Sequence, residues 1–148
     1  MQAPYLAGLL LGLATASHAQ TLPDSTAIKQ VLEREAATWR AGDVAGHAQC
    51  WQLRPYSRIV VSTGDGRVLD VPPQAMLTPA PGSMGKGGSA VQLHYRFGIR
   101  GDAAWVSHDE LSTARDGAKS YSTEFRMLEK VGGQWKLVGQ SIHLAKQP

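Results

Sequence analysis

A chain of 148 residues, 43% hydrophobic and 18% charged, is sized for one domain with a continuous core, which excludes wholesale disorder. The net charge of +3 is small and Lys and Arg are scattered, so no nucleic-acid partner is implied. A single cysteine, Cys50, excludes an intramolecular disulfide, and its place beside Trp51 late in a helix suits a core thiol.

Residues 6–16 (LAGLLLGLATA) form an uncharged apolar run of about eleven residues, too short to span a bilayer. With the small residues Ser17 and Ala19 following, the run predicts a signal peptide over 1–19 and a cut before Gln20. The domain is then 20–148, exported to the periplasm or the medium and without a membrane partner after cleavage. A short N-terminal anchor is the alternative, because residues 1–5 lack Lys and Arg.

After Pro23 and Asp24, the residues Ile28, Val31, Leu32, Ala36 and Trp39 recur at helical spacing, with Lys29, Glu33, Arg34 and Arg40 mostly elsewhere. Gly42 can end this helix, and Asp43 can cap a shorter one carrying Val44, His47, Ala48 and Trp51. Pro55 closes the helical hairpin. Strands are predicted over 57–62 and 67–71, about the Gly64 to Gly66 turn, then a helical turn over 74–77. The stretch TPAPGSMGKGG has no hydrophobic period and reads as a connector, with a pocket lid carrying Met76, Leu77 and Met84 as the alternative.

In the C-terminal half, Val91, Leu93, Tyr95, Phe97 and Ile99 alternate with polar residues, the pattern of a strand with one buried face. Three further strands are expected over 103–113, 119–131 and 134–144, with two-residue hairpin signals at Asp116-Gly117 and Gly132-Gly133. Helices first and an antiparallel meander afterwards argue for a segregated α+β fold.

Hairpin arithmetic assigns side chains to faces. Pairing Arg115 with Ala118 sets Trp105 opposite Leu128, Ser107 opposite Arg126 and Asp109 opposite Glu124. Pairing Val131 with Gln134 sets Leu137, Gly139 and Ser141 against Leu128, Arg126 and Glu124. One face then carries Trp105, Ser107, Asp109, Glu124, Arg126, Ser141 and His143. The other carries Val106, Tyr121, Phe125, Met127, Val138, Ile142 and Leu144. A one-residue bulge exchanges the faces and brings His108, Glu110 and Gln140 into the site instead.

The segment WRAGDVAGHAQCW and the ending FRMLEKVGGQWKLVGQSIHL resemble the nuclear transport factor 2-like superfamily. The most specific part is Glu124, Arg126, Leu128 and then Gly133, Gln134, Trp135, Lys136. It is similar to an E-x-R-x-(L/W) then G-x-W-(K/R) ending in SnoaL-like proteins and in the hub domain of calcium/calmodulin-dependent kinases. The resemblance implies a cone, a curved antiparallel sheet wrapped around the helical hairpin with a pocket between them. It also implies that the arginine matching Arg126 points inside.

On that basis the mixed face meets the helices, and the expected ligand-binding residues are Trp39, Trp51, Tyr56, Trp105, Ser107, Asp109, Glu124, Arg126 and His143. Arg126 and Glu124 can fix a polar or anionic group through the guanidinium fork or form a structural ion pair. The tryptophans can floor the pocket or serve as core. The apolar face, with Val106, Phe125, Met127, Val138 and Ile142, is expected to form a homodimer. His47, His94 and His108 lie on different elements without metal-ligand spacing, so no metal or cofactor is implied.

The ketosteroid-isomerase type of chemistry needs a carboxylate on the strand over 58–62, and Arg58, Ile59, Val60, Val61 and Ser62 supply none. The leading expectation is a noncatalytic pocket domain taking a small apolar molecule with a polar or anionic end. A small lyase, isomerase or hydrolase using pocket carboxylates and a structural dimerisation module are the alternatives.

Overall fold

The structure, a computed structural model, describes residues 23–145; the expected signal peptide lies outside the described residues. Helix α1 (Asp24–Ala41) starts after Pro23 and ends where Gly42 turns left-handed at φ 70°, a conformation glycine adopts without a Cβ penalty. Its buried stripe is Ile28, Leu32, Glu35 and Ala36. Asp43 caps α2 (Val44–Ala48) by accepting from the Gly46 amide at 2.9 Å. This second helix stops before Trp51, which instead bridges to Leu137 as the chain leaves the helices.

Six strands follow: β1 (Ile59–Ser62), β2 (Val68–Val71), β3 (Ser89–Arg100), β4 (Ala103–Thr113), β5 (Lys119–Val131) and β6 (Gln134–Ala145). They form one sheet in the order β2-β1-β6-β5-β4-β3. All neighbours are antiparallel except β1 and β6, which run parallel. A 3-10 turn, Pro73–Met76, lies between β2 and β3 and buries Met76. The architecture is α+β, a curved, unclosed sheet with α1 packed against its concave face through a core of Ile28, Leu32, Trp51, Ile59, Val106, Leu128, Trp135 and Leu137. Trp135 donates to Asp24 at 2.9 Å and Lys130 reaches the same carboxylate at 2.7 Å, which ties the start of α1 to the β5–β6 hairpin.

Three local irregularities move residues to faces other than those expected. In the β4–β5 turn, Ala114 pairs with Ala118 around three residues, Arg115, Asp116 and Gly117, with Gly117 at φ 86°. A three-residue turn closed by a left-handed glycine replaces the two-residue turn, so every β4 partner moves by one. Val106 faces Arg126 and His108 faces Glu124. In β6 the first pairs are as expected, Val131 with Gln134 and Leu128 with Leu137, but a bulge at Val138 sets Gln140 against Arg126 and Ile142 against Glu124.

The third irregularity is a bulge in β3 between Leu93 and Arg96, where His94 has φ 55°. It splits the regular alternation expected there. Tyr95, Phe97 and Ile99 pack on the core, while Val91 and Leu93 are 54% and 39% exposed.

Candidate functional site

The inner face of the sheet, from β1 across β6 and β5 to β4, and the last two turns of α1 enclose a cavity of about 420 Å³. Its lining combines apolar side chains, Trp39, Ile59, Val61, Val71, Ile142 and Leu144, with polar ones, Glu35, Glu124, Arg126, Gln140, Ser122 and, at the rim, Arg40, Glu110 and Ser112. A floor of hydrocarbon with few converging polar groups is the usual make-up of a small-molecule site.

The polar part is a buried network. Arg126, 4% exposed, donates from Nε to Glu124 at 2.9 Å and through its terminal nitrogens to Glu124 and Gln140. Its Nη1 also lies 3.6 Å from Oε2 of Glu35. Ser122 donates to the other oxygen of Glu124 at 2.9 Å. Glu35 arrives from α1, and its Oε1 meets Nε2 of His47 at 3.0 Å, while Nδ1 of His47 meets the Met76 carbonyl at 2.9 Å. At the rim, Arg40 binds Glu110 and, at 2.8 Å, Ser112, and Gln92 donates to Glu110 at 3.1 Å.

These contacts decide the charge states. Burial pushes the Glu35 carboxyl up, but the Arg126 charge and then the His47 contact outweigh it and hold the group below its ordinary range. Burial works against the Arg126 cation, and Glu124 with Glu35 reverses this and holds the guanidinium charged above its ordinary range. His108 stands 3.5 Å from Glu124; burial there pushes the imidazole down further than the carboxylate restores it. Among the described residues no group of three His, Cys, Asp or Glu side chains could hold a metal ion.

Of the residues expected in the site, Trp39, Glu124 and Arg126 line the cavity. Trp51 is buried in the core beneath it. Tyr56 is 60% exposed, outside the cavity. Trp105, Ser107, Asp109 and His143 stand on the outer face, because the β4–β5 turn and the Val138 bulge invert the parity of β4 and of the end of β6. There Asp109 bonds His94 and Thr123 at 2.8 and 2.9 Å, and His143 bonds Ser141 at 2.8 Å. The same inversion corrects the expected dimer surface. Val106 is fully buried inside and Ile142 lines the cavity, whereas Phe125 and Met127 remain outside with Trp105.

Glu110 and Gln140 line the cavity, as expected for a bulged register, and His108 lies buried on the same face beside Glu124. Glu35 and His47 had no place in the expected site. A signal for Glu35 was present in the chain: it lies seven residues after Ile28 and three after Leu32, on the apolar stripe of α1. His47 lies on the stripe of the short helix with Val44 and Ala48, but its partners come from α1 and from the turn before β3.

No protein-family model matches the sequence, and neither does any curated protein. Solved structures do match. A nuclear transport factor 2-like protein of unknown function from Shewanella baltica superposes with a TM-score of 0.63 at 20% identity, over 90% of this chain and 100% of that one. A protein of unknown function with a cystatin-like fold from Nostoc punctiforme gives 0.64 at 12% identity, over 84% and 92%. The association domain of the calcium/calmodulin-dependent kinase II of C. elegans gives 0.59 at 18%, over 80% and 93%. The chain therefore has the fold of the nuclear transport factor 2-like proteins, an α+β scaffold. At these identities the likeness is one of fold, and what the pocket does must be argued from its own residues.

Proposed function

We propose that this chain is an exported, noncatalytic pocket domain that binds a small, mostly apolar molecule with a polar end. The observation that carries the reading is the cavity itself, about 420 Å³, lined by hydrocarbon together with a buried Glu35, Arg126, Glu124 and Gln140 cluster. The carboxylates there are paired to cations, which suits holding a ligand better than moving protons. Thermal unfolding of the purified domain with a mixed metabolite library tests this. At least one compound should raise the melting temperature, and the response should vanish in Arg126→Ala. Turnover that disappears in Glu35→Gln and Glu124→Gln would replace binding with catalysis.

Self-association is the second part of the reading. On the outer face Trp105 stacks on Phe125 with ring centroids 5.6 Å apart, and both are more than two-fifths exposed, with Met127 beside them. Exposed stacked aromatics on a sheet face are costly to leave in water and suit an isologous dimer. The fold likeness to a kinase association domain points the same way. Export rests on the apolar run at residues 6–16.

A further inference from the structure

We propose that the cavity selects a head group that donates hydrogen bonds, a hydroxyl or a protonated amine, and that Oε2 of Glu35 is its acceptor. The inference rests on reading the cavity as a binding site and narrows the class of ligand. An anionic end is disfavoured by the charge of the lining, which holds three carboxylates, Glu35, Glu110 and Glu124, against the two guanidinium groups of Arg40 and Arg126. Nε and both terminal nitrogens of Arg126 already serve Glu124 and Gln140, and one terminal nitrogen of Arg40 serves both Glu110 and Ser112 at the rim. An incoming carboxylate or phosphate would meet the excess of negative charge.

The unused capacity is of the opposite kind. Oε1 of Glu35 takes Nε2 of His47, but Oε2 has only Nη1 of Arg126 near it, at 3.6 Å, beyond a good hydrogen bond. No other normal hydrogen bond among the described residues reaches Oε2; the indole N–H of Trp51 contributes to holding the carboxylate ionised without closing proper geometry. Glu35 is 5% exposed and that exposure opens on the cavity. A buried ionised acceptor with this spare capacity favours a ligand that donates, since a hydrogen bond to a charged group is among the stronger ones available. In the same lining, Trp39, Val61, Val71, Ile142 and Leu144 offer hydrocarbon to the body of the molecule.

Calorimetric titration with three probes sharing one body tests the assignment: cyclohexylmethanol, cyclohexylmethylamine and cyclohexanecarboxylate, at neutral pH. The alcohol or the amine should bind at least about tenfold more tightly than the carboxylate. Preference for the amine identifies a cationic head and preference for the alcohol a neutral one. Glu35→Gln should weaken the preferred probe about tenfold, and Ile142→Trp, which fills the apolar part, should abolish binding of all three. If Glu35→Gln does not fold, the rank order on the native chain still decides. Tighter binding of the carboxylate, or an affinity unchanged in Glu35→Gln, overturns the head-group assignment and leaves the binding site standing. Binding that survives Ile142→Trp places the probes elsewhere and overturns the assignment too. Absence of heat from all three probes, with no shift from the metabolite library, overturns the binding reading and this inference with it.

Discussion

Oε1 of Glu35 lies 3.0 Å from Nε2 of His47, and this contact joins α1 to α2 beneath the cavity. The other ring nitrogen faces the Met76 carbonyl, which can only accept, so Nδ1 carries a proton. The contact gives Glu35 a partner besides Arg126, which Glu124 already engages. The position of Glu35 at the cavity wall depends on the ring behind it.

His47→Phe leaves Glu35 buried beside a partly committed Arg126. Leaving a buried acceptor without one of its partners costs about 1 to 3 kcal/mol. Urea denaturation should show the unfolding free energy falling by that amount, through a lower midpoint at an unchanged slope. A loss below about 1 kcal/mol would mean that the contact does not hold Glu35.

Acid should destabilise the fold in two stages. The folded His108 titrates below its ordinary value of 6.5, so the unfolded chain takes up that proton first. Stability is lost as pH falls below 6.5, by at most about 1.4 kcal/mol per pH unit from this one group. Glu35, also lowered, contributes stability above its ordinary value of 4.5 and loses it as pH falls through the folded value. Unfolding free energies across this range should flatten near pH 6 in His108→Gln; an unchanged slope would exclude the ring as the titrating group.

The glycine-rich connector is a strap on the end of α1. The Gly85 and Gly87 amides donate to the carbonyls of Trp39 and Arg40 at 3.1 and 2.7 Å, satisfying groups that a helix end leaves open. A Cβ on Gly85 would stand 2.8 Å from Cα of Arg40. Gly85→Ala should therefore cost about 1 to 3 kcal/mol in equilibrium unfolding, whereas Lys86→Ala should be neutral within about 0.5 kcal/mol. Equal effects would show the strap to be a plain linker.

The outer aromatic pair can be tested without touching the cavity. Phe125→Lys places a charge in the stack with Trp105 and should convert a dimer to a monomer on light scattering. The melting response to the alcohol or amine probe should persist in the monomer. A dimer that survives this substitution uses another surface.

The order of elements and the helix stripe of α1 were legible in the chain from local chemistry: apolar residues at helical spacing, a left-handed glycine at Gly42, alternation along β5. The inward turn of Glu124 and Arg126 was implied by the family resemblance, since alternation by itself allows either face to lie inside. A strand writes its faces in a period of two, so one inserted residue inverts everything beyond it. The third residue of the Arg115 to Gly117 turn and the bulge at Val138 did so, sending Asp109 and His143 outward and bringing Glu110 and Gln140 inward. Their energies depend on whether the neighbouring strand can bury what results, and that is a tertiary property. The same holds for Glu35 and His47, which meet across turns that no local pattern relates. Sequence alone determined which secondary structures this protein builds and in what order; only the packed sheet decided which charges share its interior, because desolvation acts on the assembled face and not on the strand by itself.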